Sequence, residues 1–152
     1  MLVIWMARMT EMKKFSIIKP TLDSPFHIDF EWWKQNDNDW RVFLVDYLCT
    51  EHKEVFQNTN TEKLIDWVDT ETGEVHSLDG IQHTLIAHCA KEPGFVSKNT
   101  ALVDAVFRIF LAKENKPLSP NELSVLINQP ASKILLTFGG FQVYKGIRPY
   151  QF

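Results

Sequence analysis

Apolar positions along the chain fall into a few clear rhythms. Trp40, Phe43, Leu44, Tyr47 and Leu48 recur three and four residues apart, which places them on one face of an α-helix. Asn38 or Asp39 offers an N-cap, and Asn58, Thr59 and Asn60 mark the loop beyond, so one helix is predicted from about Asp39 to Phe56. Ile81, Leu85 and Cys89 line a second helix, with Asp79 as its cap, Gln82 three residues on, and Pro93-Gly94 as its stop. From Ala101 to Ala112 the chain is apolar on nearly every side, the mark of a central buried helix. Ser119-Pro120-Asn121-Glu122 then reads as a capping box with proline at the first helical position. Leu123, Leu126 and Ile127 give that helix an apolar face, and Asn128-Gln129-Pro130 gives a turn. Ala131, Ile134, Leu135 and Phe138 form the inner stripe of a following helix, expected to tuck beneath Phe107 and Phe110. Gly139-Gly140 end it, and strand-forming residues surround Gly146.

Two stretches carry a different rhythm. Residues 64–79, LIDWVDTETGEVHSLD, predict a β-hairpin, with Ile65 and Trp67 on one face and Gly73 closing the turn. Residues 13–31 hold Pro20 and Pro25 among β-branched residues, which predicts an extended arm. The expected class is α/β in the α+β sense. An acidic, tryptophan-rich half, residues 1–96, packs through a short link on a C-terminal unit, residues 97–152.

Composition is that of an ordinary globular chain: 152 residues, 45% hydrophobic and 23% charged. No apolar run approaches the roughly 18 residues a membrane helix needs. The opening MLVIWMARM is too short for a secretory leader, and Met6, Met9 or Met12 offers a later start. A cytoplasmic location and reduced thiols at Cys49 and Cys89 are the expectation. Charge is uneven. Residues 97–152 hold seven Lys and Arg against three acids, or +4, so the net −3 leaves −7 on residues 1–96. Only the C-terminal part would face a polyanion.

The order helix, short capped helix, tight turn, helix, β segment carries a resemblance. Residues 100–150, and above all LSPNELSVLINQPASKILLTF, resemble the winged helix-turn-helix superfamily over about a third of the chain. The resemblance implies a non-enzymatic regulator that lays the second helix of the pair in the major groove of duplex DNA. On this sequence Gln129, Ser132 and Lys133 would then meet the duplex from the helix, and Lys145 and Arg148 from the wing. The chain departs from that pattern in having few basic residues and in placing Leu136 on the outward face. The alternative is a winged helix repurposed as a protein–protein adaptor, with Leu136 and the Trp32–Trp33 edge as contact residues. If residues 30–33 are extended, adjacent tryptophans point to opposite faces, and one of the two is partly exposed.

Other chemistry is sparse. Cys49 and His52 share one helix face, and with His88 and Cys89 they make a possible zinc set joining two helices. The spacing matches no standard finger, and both cysteines continue apolar stripes, so buried thiols with surface imidazoles, no metal and no cofactor are expected. His83 on the second helix joins no clearer set. Asp29, Glu31, Asp37 and Asp39, or Asp66 with Glu74 and His76, are candidate carboxylate sites, read instead as helix-start and hairpin residues. No nucleotide-binding glycine loop, zinc-protease motif, nucleophile elbow or Cys-x-x-Cys is present, so no enzyme and no small-molecule substrate are inferred.

Overall fold

The computed structural model describes residues 19–57, 64–68, 70–97 and 100–150, and of residues 57, 64–67 and 75–78 the backbone only. The arm expected at 13–18, the loop at Asn58–Asn60 and the side chains of Ile65, Asp66, Trp67 and His76 lie outside that description.

The strand β1, Phe26–Ile28, turns Phe26 and Ile28 into the core and leaves His27 half-buried between them. One edge pairs antiparallel with β4, Ile147–Pro149, with Ile28 opposite Ile147. On the other edge Phe26 and Leu118 exchange both backbone hydrogen bonds, at 2.8 and 3.0 Å. Asn115 continues that ladder with its side chain. Its Oδ1 accepts from the Ile28 N–H and its Nδ2 donates to the Ile28 carbonyl, each at 2.8 Å. The amide stands in for a strand residue.

The strand rhythm of Phe26, Ile28 and Phe30 does not continue, and here the extended reading is corrected. Asp29 accepts from the Trp32 N–H at 3.0 Å and starts the helix α1, Phe30–Asn36. Phe30 and Trp33, three apart, both turn inward. The single helix expected from Asp39 to Phe56 is two. Helix α2, Trp40–Val45, ends where Tyr47 and Leu48 bond back three residues to Leu44 and Val45. Helix α3, Thr50–Gln57, follows, with Phe56 packed against the edge of the core. The stripe itself largely holds: Trp40, Leu44, Tyr47 and Leu48 are buried, while Phe43 is exposed. Asp39 sits at the start of α2 but makes no capping bond with its side chain.

The hairpin β2, Leu64–Val68, and β3, Val75–Asp79, forms as expected, with Gly73 at a φ of +76°. Asp79 caps the helix α4, Gly80–Ala87, accepting from the Ile81 N–H at 3.0 Å. The same carboxylate is 1% exposed and paired with Arg41 of α2, so its burial is compensated by a cation. Helix α4 ends earlier than Pro93-Gly94, giving way to a short 3₁₀ turn at Cys89–Lys91. Ile81, Leu85 and Cys89 are all buried.

Helix α5, Leu102–Ala112, is the buried centre, with Val106, Phe107, Phe110 and Leu111 closed to solvent. Helix α6, Pro120–Ile127, has both capping-box bonds, Ser119 Oγ to the Glu122 N–H and Glu122 Oε1 to the Ser119 N–H. Leu123 is buried, but Leu126, expected on the inner face, is exposed. Asn128, at a φ of 53°, makes the turn into α7, Ala131–Phe138. Ile134 and Phe138 are buried and Leu135 half-buried. The class is α+β, and one hydrophobic core runs across the boundary expected at residue 96, from Phe26 and Trp33 to Phe107 and Phe138. Among the described residues no helix is long and apolar enough to cross a membrane.

Replacing Asn115 with alanine strips both Ile28 backbone groups of their partners. The expected cost is about 2–4 kcal/mol, read as a fall of roughly 5–15 °C in thermal midpoint. Asn115→Asp keeps the acceptor alone and falls between.

Candidate functional site

Residues named as contacts from the sequence are placed very differently. On α7, Ser132 and Lys133 are exposed, and Leu136, three residues on from Lys133 and therefore on the same face, is 82% exposed. Gln129 is half-buried in the turn, where its carbonyl accepts from Ser124 Oγ. Val125 on α6 and Phe141 beyond α7 add further exposed apolar side chains.

Lys145 and Arg148 are half-buried, each held against a carboxylate. The segment after α7 makes a tight turn, bridged between Tyr144 and Ile147, and feeds β4 onto β1. Lys145 and Gly146 both sit at positive φ in that turn, 51° and 73°. Gly146 has a second reason to be glycine: an added Cβ would lie 3.2 Å from that of Trp33. Lys145 reaches the Tyr47 hydroxyl and lies 3.6 Å from Asp104. Arg108 donates to the other Asp104 oxygen at 2.9 Å and stacks over the Tyr47 ring. Burial draws the Asp104 carboxyl upward, but hydrogen bonds from Tyr47 and Arg108 and the charges of Arg108 and Lys145 outweigh it and hold it below its ordinary range. Burial, then the Asp104 contact, pushes the Tyr47 phenol well up. Arg148 pairs with Asp29 at 3.0 Å and lies over the Trp32 ring. The basic excess read from the sequence is therefore partly taken up by half-buried intramolecular ion pairs.

Trp33 is 3% exposed, packed against Phe107 and under Gly146, which corrects its placing at a contact edge. It is buried because the segment is helical, so adjacent residues do not alternate between faces. Trp32 is half-buried beneath Arg148. The acidic residues are dispersed among local partners. Asp29 caps α1, Glu31 pairs with Lys34, and Asp37 accepts from the Trp33 indole N–H and the Asp39 N–H.

One cluster does converge. Cys49 Sγ lies 2.9 Å from His52 Nδ1, Cys89 Sγ 3.3 Å from Cys49 Sγ, and Cys89 Sγ 3.6 Å from His52 Nδ1. It is the only group of three possible ligand residues found among the described residues. His88 stays outside the triangle, its ring stacked on that of His52 with centroids 5.4 Å apart. Burial pushes the Cys89 thiol up to about 11. A shallow cleft bordered by Glu92, Pro93, Phe95 and Arg108 opens onto both cysteines. The four residues singled out in sequence were the right neighbourhood. What sequence could not supply was the break after Leu48 that brings Cys49 against Cys89.

No family model, curated protein or solved structure matches the chain.

Since the Asp104 carboxyl is held low in the fold, it contributes stability above about pH 4, its ordinary value, and loses it as pH falls through the folded value. Asp104→Asn is expected to lower the thermal midpoint at pH 7. The gap from wild type should narrow as pH drops from about 4 towards 2. Arg148→Ala should cost about 1 kcal/mol through its lost pairing with Asp29 and Trp32, measurable by urea unfolding.

Proposed function

We propose that this protein is a non-enzymatic protein-contact module, in which residues 100–150 are a winged-helix-like unit turned to docking another protein. The observation that carries the reading is Leu136. A branched aliphatic side chain stands 82% exposed on the outward face of α7, where a duplex reader needs polar groups. The electrostatics agree. Lys145 and Arg148 are engaged with Asp104 and Asp29, and β4 is committed to β1, so no protruding basic wing accompanies the helix among the described residues. A duplex grips proteins largely through phosphate neutralisation, and Lys133 alone is a slight basis for it. The partner surface that fits is an apolar socket for Leu136 with an acidic rim for Lys133, since these two share one helix face. Exposed Val125 on the preceding helix adds apolar surface of the same kind. Nucleic-acid binding remains the second reading, favoured by the exposure of Ser132 and Lys133.

A photo-crosslinking amino acid at position 136, with position 113 as the exposed control, separates the two in cells that make the protein. A discrete protein adduct specific to position 136 is expected. Adducts to nucleic acid would overturn the reading. Leu136→Asp should weaken the captured complex by about 30-fold or more, as for a central apolar contact, with the thermal midpoint unchanged. Lys133→Ala should leave binding to random duplex as weak as in wild type across a salt series.

A further inference from the structure

Helix α3 is anchored in an unusual way. It has eight residues, too short to persist alone in water. None of its described side chains is fully buried. What it turns inward is a single stripe: Cys49 just before its first residue, then His52 and Phe56. Only Phe56 is a large apolar group. The other two meet Cys89, which arrives from the 3₁₀ turn after α4, about forty residues along the chain.

We propose that Cys49, His52 and Cys89 are ligands of a zinc ion that clips helix α3 to the end of helix α4. The donor set is two thiolates and one imidazole, the soft and borderline ligands zinc prefers. The fit is geometric as well as chemical. Zinc bonds of about 2.3 Å to sulfur and about 2.0 Å to nitrogen, at tetrahedral angles, require sulfurs about 3.8 Å apart and sulfur–nitrogen distances of about 3.5 Å. The observed separations are 3.3 Å between sulfurs and 2.9 and 3.6 Å from sulfur to nitrogen. Side-chain shifts of about half an ångström complete the site. All three donor atoms lie within 4.8 Å of one another. With Nδ1 facing the metal, the His52 proton resides on Nε2. Binding Zn²⁺ releases the two thiol protons to solvent and leaves a site with no net charge. The cleft beside Glu92 and Arg108 provides access and room for water as the fourth ligand. The competing outcome for two sulfurs so close is a disulfide. The imidazole nitrogen held against both of them is what favours the metal, since a disulfide has no use for a third donor.

The test uses the full chain, purified under reductant and stripped with a chelator. Titrated with Co²⁺, it should develop thiolate charge-transfer absorption and the intense visible bands of a tetrahedral ion, saturating at one equivalent. Zn²⁺ should displace the cobalt, raise the thermal midpoint and protect both cysteines from alkylation. Cys49→Ser and His52→Gln alter half-buried positions and should fold, yet bind cobalt at least tenfold more weakly and lose the thermal response to zinc. Cys89 is buried, so Cys89→Ser is read only if its circular dichroism matches wild type. Cobalt spectra without thiolate bands, unchanged binding in Cys49→Ser and His52→Gln, or a reduced protein that takes up no metal would each overturn the site. None of these outcomes depends on Leu136, so the docking proposal stands or falls separately.

Discussion

Three residues of backbone, Phe26–Ile28, hold the rest of the structure in place. They are gripped on one edge by Ile147–Pro149 and on the other by Leu118 and the Asn115 side chain. A strand bonded on both edges cannot shift register without breaking all of those bonds at once. The consequences run both ways along the chain. Asp29, one residue beyond the strand, caps α1 and catches Arg148, and its N–H donates to the Gly146 carbonyl. Trp33 then falls where only a glycine leaves room. On the other side, the strand holds the segment after α7 against the body of the fold, and the cations of that segment pair with the half-buried acids Asp104 and Asp29.

This arrangement explains which parts of the fold were legible in the sequence. Caps and stripes are local signals, and most of them held, although Asp39 makes no capping bond and Phe43 and Leu126 face solvent. Asp79, the Ser119–Glu122 box, the Asn128 turn and the Ile134–Phe138 stripe each need only residues within a few positions of one another. The helix break at Asp46–Cys49 was hidden because the apolar spacing continues smoothly through Tyr47 and Leu48. The reason to break lies further on, in a segment with little apolar surface to bury. Phe26, Ile28 and Phe30 alternate as a strand should, and only the capping action of Asp29 ends that pattern. The fate of Arg148 was beyond local reasoning, since its partner Asp29 lies 119 residues away. Charge totals count cations but do not say which are already paired.

That distinction governs the functional reading. A basic surplus attracts a polyanion only through charges left facing water. Lys145 instead shares a half-buried knot with Tyr47, Asp104 and Arg108, where separating any one member leaves a charge or hydroxyl poorly satisfied. Such a knot resists reorganisation, so recruiting Lys145 to a phosphate would sacrifice interactions that hold the fold. Leu136 carries no such obligation. It makes no contribution to the core and is free to be buried by something else, which is the physical content of the proposed docking role.

The proposed metal clip answers a different problem in the same molecule. Most helices here are secured by side chains such as Leu44, Leu85, Phe107 and Ile134, whose burial contributes about 1.5–3 kcal/mol each. Helix α3 has Phe56 alone and, in place of further large aliphatic residues, the Cys49 thiol just before it and the His52 imidazole, both of which bind metal well. A hydrophobic anchor would hold α3 under all conditions. A thiolate–imidazole anchor would hold it only when metal is present and the cysteines are reduced, so the attachment of a helix with little apolar surface would respond to the surroundings.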